Sequence, residues 1–156
     1  MPPLHVAIRA DVNQGIGTGH LMRCLTLADE LRCRGGKVRF VMRGIPPEFG
    51  LMLESRGHEV RVVGRRLGLE QENVDAEAPF FPYSQFEDAT DTIAALEDQK
   101  WDWLIVDHYA LDFKWESLLR DSANQILVID DLADRAHSCD VLLDQNFYWN
   151  PAARYA

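Results

Sequence analysis

Residues 4–36 read LHVAIRADVNQGIGTGHLMRCLTLADELRCRGG, and this stretch decides the fold. Leu4 to Arg9 is a short apolar run, Asp11 to Gly19 is a glycine-rich loop, and a helix is expected from about His20 to Arg34. Within that helix Leu21, Leu25, Ala28 and Leu31 recur at three- and four-residue spacing, the period of one helical face. Gly35-Gly36 ends it, and a second strand follows from Val38 to Met42. Strand, tight loop, amphipathic helix and strand make a βαβ unit.

The rhythm repeats outward. Pro46-Pro47 opens a helix expected over Glu48 to Arg56, and Gly57 stops it before a strand from Glu59 to Val63. Between Gly64 and Tyr83 the sequence is acidic, broken by prolines and without a period, so no element is assigned there. Ser84 is a cap candidate for a helix reaching Lys100. Beyond it lie a buried strand from Trp103 to Asp107, a helix from Phe113 to Arg120, and strands at Gln125 to Ile129 and Val141 to Leu143. The expected architecture is α/β: a Rossmann-like open parallel sheet with helices on both faces.

Composition bounds the function classes. The 156 residues are 47% hydrophobic and 26% charged, enough apolar material for one packed core. With 25 acidic against 16 basic residues the formal charge is -9, and the longest basic run is Arg65-Arg66, so a nucleic-acid partner is not expected. The N-terminus lacks a positive leader, and no stretch approaches the roughly 18 apolar residues of a membrane helix. A cytoplasmic protein with no membrane partner is therefore expected. Cys24, Cys33 and Cys139 fit neither a disulfide framework nor paired zinc motifs and read as reduced thiols.

In an open parallel sheet, loops at the carboxyl ends of the strands converge on a crevice. Three such ends are polar here: Arg9-Ala10-Asp11 with the glycine loop, Asp107-His108-Tyr109, and Asp130-Asp131. Gly15-Ile16-Gly17-Thr18-Gly19-His20 lets backbone amides approach a ligand at a helix start, a place for an anion or polar sugar, or it is only a tight connection. It is neither a dinucleotide fingerprint, since His20 stands where a third glycine is needed, nor a Walker loop.

His20 sits where the positive end of the helix dipole favours the neutral ring, so it suits a base; the alternative is a capping or packing role. Arg9 and Arg23 flank the loop and either offset a diphosphate or remain solvated. An Asp beside a His can fix its tautomer, which makes the Asp107-His108-Tyr109 cluster a site candidate, whereas Asp107 as a helix cap is the competing reading. Asp130-Asp131 lacks a third ligand, so capping or loop hydrogen bonds are favoured over a metal. His5, His58 and His137 read as structural, and no serine stands in a Gly-x-Ser-x-Gly elbow.

Arg9-Ala10-Asp11, the run Ile16 to Ala28, Val106-Asp107-His108-Tyr109, Asp130 to Asp134 and Cys139 to Asn146, in this order and at these distances, resemble the amino-terminal half of the UDP-sugar hydrolases of pseudaminic acid biosynthesis. The Gly-x-Gly-His piece alone is shared with related glycosyltransferases. The resemblance implies a GT-B-like enzyme of two Rossmann-like domains, with residues 1–146 as the first domain and 147–156 as the start of the connection to a missing C-terminal domain. It implies a UDP-sugar substrate, release of UDP from a 2,4-diacetamido-2,4,6-trideoxy sugar by water with inversion, and no cofactor or metal. A role in bacterial surface glycans and flagellin glycosylation would follow.

Carried residue by residue, the resemblance makes His20 the general base. Tyr109 would line the sugar pocket, with Arg9, Asp11, Asn13, Gly17, Gly19, Arg23, Asp107 and His108 binding substrate or ordering the loop around it. Phe147, Tyr148 and Trp149 would pack on the missing domain. The competing expectations are a UDP-sugar-dependent GT-B glycosyltransferase and a non-catalytic nucleotide-sugar binding module.

Overall fold

A computed structural model describes residues 2–12, 17–64 and 83–155. Its strands are β1 (His5–Ala10), β2 (Lys37–Met42), β3 (Glu59–Val62), β4 (Trp101–Asp107), β5 (Ala123–Ile129) and β6 (Val141–Leu143). Its helices are α1 (Gly19–Cys33), α2 (Pro47–Ser55), α3 (Gln85–Leu96) and α4 (Phe113–Leu118), and a 3-10 turn covers Pro151–Arg154. Every element expected from the sequence is present within a few residues of its expected ends. The uninterpreted stretch after Gly64 lies mostly outside the described residues.

The strands form one sheet in the order β3-β2-β1-β4-β5-β6, each pair parallel. This is the doubly wound order, in which the chain reverses direction across the sheet between β1 and β4. The ladder there sets Ala10 beside Asp107. The loops leaving β1 and β4 must therefore part at a crevice, one toward each face.

Strand parity decides which side chain goes where. Val6, Ile8 and Ala10 face a core built with Leu21, Cys24, Leu25 and Ala28 of α1 and Leu53 of α2. Ala7, Leu104, Val106, Ile126 and Val128 face the opposite core, against Ala89 and Leu96 of α3 and Trp115 of α4. Helices thus cover both faces. Burying each large aliphatic side chain contributes roughly 1.5–3 kcal/mol, so truncating Leu104, fully buried, is expected to cost about 2–5 kcal/mol.

Local chemistry fixes the helix ends. α1 stops in a Schellman motif: Gly36 N–H donates to the Leu31 carbonyl and Gly35 N–H to that of Arg32, with Gly35 at φ +88. A side chain at Gly36 would meet the Leu31 and Leu4 carbonyls at 3.0 and 3.3 Å. α3 begins with a capping box, Ser84 accepting from Glu87 N–H while the Glu87 carboxylate accepts from Ser84 N–H. α4 is capped by Asp112, not by Asp107. That leaves the Asp107 carboxylate free of the capping role and available to the crevice.

Candidate active site

α1 places His20 in its first turn, pointing toward the end of β4. There His20 Nδ1 hydrogen-bonds Asp107 Oδ1, a very short contact between residues 87 apart in sequence. Arg23, one turn along α1, donates from Nε to Asp107 Oδ2 and from Nη2 to Oδ1, the latter at 2.5 Å. Cys24 adds its thiol to Oδ2 at 3.4 Å.

Burial opposes ionisation of Asp107, yet the hydrogen bonds from Arg23 and His20 outweigh it and hold the carboxyl below its usual range. An ionised Asp107 accepts, so Nδ1 of His20 carries the proton and Nε2 presents its lone pair. Nε2 has no hydrogen-bond partner among the described residues. The sequence reading paired an Asp with a neighbouring His; parity pairs them crosswise instead. Asp107 turns to the α1 face and meets His20, while His108 turns to the α3 face and meets Asp11.

The Tyr109 ring stands edge-on to His20, with centroids 4.4 Å apart at 77°. Its hydroxyl donates to Asp131 Oδ1 at 2.9 Å, and Asp131 Oδ2 lies 3.6 Å from Arg23 Nη1. His20, Asp107, Arg23, Asp131 and Tyr109 thus close a ring of contacts over the crevice. Burial and Asp131 both push the Tyr109 phenol up, so it stays a donor. Asp131, read from the sequence as a loop or capping residue, proves to be the link between Tyr109 and Arg23.

Beneath this ring lies a second network, and here Arg9 departs from its expected role. Arg9 is fully buried, because its position in β1 turns it under α3 and away from the crevice. It grips Asp11 with both Nη atoms at 2.6 and 2.9 Å and Asp88 through Nε and Nη2 at 3.1 and 2.7 Å. Its charge is consumed by these carboxylates and is not available to a diphosphate. Asp11 also accepts from Arg43 N–H and from His108 Nε2, and Arg43 and Trp115 Nε1 complete Asp88.

Burial would raise the carboxyl groups of Asp11 and Asp88, but the Arg9 charge and the hydrogen bonds it shares with His108 and Arg43 drive both well down. His108 accepts from Ala110 N–H on Nδ1, and burial, outweighing Asp11, pushes its ring toward the neutral form. Asp11, Asp107 and His108 are each under 5% exposed with their polar atoms engaged. They are held within the network beneath the crevice, in keeping with the loop-ordering alternative of their expected roles. Asp88 escaped the sequence reading because an Asp in an amphipathic helix looks solvated; only its contacts with Arg9 of β1, Arg43 and Trp115 show otherwise.

Gly17 and Gly19 are exposed at the mouth. Gly17 has φ +76, which only glycine adopts freely, and a Cβ at either position would meet nothing within 4 Å. Thr18, the N-cap of α1, makes no side-chain cap and the first turn has no acidic residue, so among the described residues no side chain caps this helix start. Asn13 lies outside the described residues. Among those described, no three metal-ligating side chains gather, and no helix is long and apolar enough to cross a membrane.

A histidine held by a buried carboxylate at a helix start, at the reversal point of a doubly wound sheet, invites comparison with known proteins. The chain is similar to a UDP-sugar hydrolase. Over 150 residues it is 28% identical to the UDP-2,4-diacetamido-2,4,6-trideoxy-beta-L-altropyranose hydrolase of Campylobacter jejuni, a match covering 93% of this chain and 43% of that enzyme. The chain spans under half the length of this curated relative, and the match bears out the resemblance read from its motifs.

Two solved structures share the fold. MurG of Acinetobacter baumannii superposes with a TM-score of 0.56 at 16% identity, over 84% of this chain and 35% of that one. The glycotransferase of kitacinnamycin does so with a TM-score of 0.56 at 21% identity, over 81% and 30%. The expected Rossmann-like half of a GT-B architecture is therefore the observed fold. No protein-family model matches the chain.

Proposed function

We propose that this chain is the base-bearing half of a hydrolase that releases UDP from a UDP-linked 2,4-diacetamido-2,4,6-trideoxy sugar. The observation that carries the reading is the Asp107–His20 pair, which fixes the proton on Nδ1 and leaves Nε2 to accept one at the crevice. Similarity to the altropyranose hydrolase supports the substrate class. Water held at Nε2 loses its proton to the imidazole as its oxygen bonds the anomeric carbon; the bond from that carbon to the diphosphate oxygen breaks, UDP leaves with the electron pair, and configuration inverts. Asp107 stabilises the imidazolium until solvent takes the proton.

UDP is a good leaving group, so the protein's task is chiefly to align the water and hold the diphosphate still, with no metal or cofactor needed in principle. In this reading Gly17, Gly19 and the open start of α1 receive anionic or sugar oxygens, with Arg23 nearby as a cation and Tyr109 against the sugar. Residues 1–146 form the first domain and 147–156 lead toward a second that completes the nucleotide site. The reaction belongs to pseudaminic acid synthesis in the cytoplasm.

A phosphorus and proton NMR time course with the UDP-altropyranose substrate and the full gene product tests this. Free sugar and UDP, absent with His20→Ala, are the expected products. The glycosyltransferase neighbours favour a second reading, in which an acceptor hydroxyl replaces water; a glycoside product would establish it, and binding without turnover would leave a nucleotide-sugar binding module.

A further inference from the structure

We infer that Arg154 and Tyr155 are positioning residues for the His20 site, acting through the Asp130-Asp131 loop; the inference rests on His20 being the base. The 3-10 turn Pro151–Arg154 carries the chain back over the carboxyl edge of the sheet. There the Tyr155 hydroxyl, 3.0 Å from Asp144 Oδ2, donates to the Asp130 carbonyl at 2.8 Å, and Arg154 Nη2 donates to the Asp131 carbonyl at 2.9 Å. The guanidinium of Arg154 also stacks 3.8 Å from the Tyr148 ring centroid, and its Nε lies 3.4 Å from Asp144 Oδ2.

From the other side, Asp130 Oδ2 accepts from Ala133 N–H at 2.9 Å and its Oδ1 pairs with Arg135 Nη2 at 2.9 Å. The main chain of Asp130 and Asp131 is thus held between the returning turn and the loop that follows it. Asp131 then points its carboxylate at Tyr109 and Arg23, the two residues that touch His20 and Asp107. A loop that carries the edge contact and the Arg23 orientation sets the angle of the imidazole, and an angular error of the base costs rate steeply. Without the latch from Arg154 and Tyr155, Asp131 loses its fixed backbone and His20 loses one wall.

The test reads the ring itself. In nitrogen-15 imidazole spectra, the Nδ1–H resonance of His20 is expected to be sharp, because Asp107 holds that proton. Tyr155→Phe, which removes one oxygen, and Arg154→Gln are expected to shift or lose it, in the same direction as Asp131→Asn, with the thermal melt of Tyr155→Phe close to the parent. An unmoved His20 resonance alongside shifted Asp130 and Asp131 amides overturns the inference, as does an unmoved resonance in Asp131→Asn. With UDP-sugar as substrate, Tyr155→Phe is expected to lower kcat more than it raises KM. Because the spectra need no turnover, failure of the hydrolase reading and failure of this inference are told apart.

Discussion

His20 Nδ1 and Asp107 Oδ1 share a hydrogen bond across the reversal point of the sheet, and the direction of that bond assigns opposite duties to the two ring nitrogens. His20→Ala is expected to abolish UDP release while leaving the melting transition in place. Asp107→Asn keeps the shape but offers Nδ1 an amide N–H in place of an acceptor, which favours the wrong tautomer. It is expected to lower kcat by about two to four orders of magnitude, on the scale of lost base catalysis and of an inverted imidazole tautomer. Steady-state kinetics with equal kcat in parent and Asp107→Asn would remove Asp107 from this role.

Arg9 is fully buried between Asp11 and Asp88, which makes it a stability residue of the network. Arg9→Leu leaves Asp11 and Asp88 buried with their main counter-charge gone, and breaking a buried pair in this way costs about 3–5 kcal/mol. Urea denaturation is expected to show a loss of that size, whereas Arg23→Leu, at the half-buried rim and with His20 and Cys24 still bonded to Asp107, is expected to cost less stability and to impair turnover. Equal destabilisation by both variants would contradict the division into floor and rim.

The acid limb of stability has two steps. Above about pH 6.5, the ordinary value for a histidine, folded and unfolded chains both hold His108 neutral. Below it the unfolded chain binds a proton that the folded chain, whose ring is pushed down by burial, refuses, so stability falls with pH by up to about 1.4 kcal/mol per unit. Asp11, Asp88 and Asp107 are depressed when folded, so their contribution is complete above the ordinary carboxylate value near about 3.9 and is lost as pH falls below it. Calorimetric melts across this range check both steps, and His108→Gln is expected to flatten the first alone.

Two glycines separate backbone strain from crowding. Gly17→Ala forces a side chain to φ +76 in open space and is expected to cost about 1–2 kcal/mol. Gly64→Ala adds to a similar φ of +75 a Cβ 2.0 Å from Arg43 Nη1, so Arg43 must leave its stack on Tyr83, at 3.9 Å, and its pairs with Asp88 and Asp91. Gly64→Ala should therefore destabilise more, and the excess should vanish in an Arg43→Ala background. A persistent excess there would mean that Arg43 is not what the new Cβ displaces.

Phe147 and Trp149 lie 81% and 94% exposed, their rings 5.5 Å apart. Such a pair on an acidic surface is expected to drive self-association of the isolated 156-residue chain, relieved by Trp149→Ser. Sedimentation velocity at high concentration showing one monomer for the parent would remove that expectation and the proposed contact with a second domain.

The fold was legible because period and punctuation agree: Leu21, Leu25 and Ala28 mark one helical face, and Gly35, Ser84 and Pro47 mark ends that their backbone chemistry enforces. His20, Tyr109 and Arg23 were legible as well, since glycine loops and strand ends announce the carboxyl edge. The charge partners were not. Asp88 and Arg9 meet only because β1 carries α3 above it, and pairing depends on parity across strands far apart in sequence, which no local pattern encodes. Asp131 reads from the sequence as a loop hydrogen-bonding residue, which it is, but its partners Tyr109 and Arg23 are hidden for the same reason: neither is adjacent to it in sequence.

The strand order has one more consequence, for the time course of synthesis. β1 and β2 pair early, but the neighbour that completes the crevice, β4, is Trp101–Asp107, and the loop that steadies Tyr109 comes later still. Such pairings close long loops and form slowly. A nascent chain that has emerged only through β3 carries His20 without the carboxylate of Asp107, so the His20–Asp107 pair forms only when the chain's second half arrives.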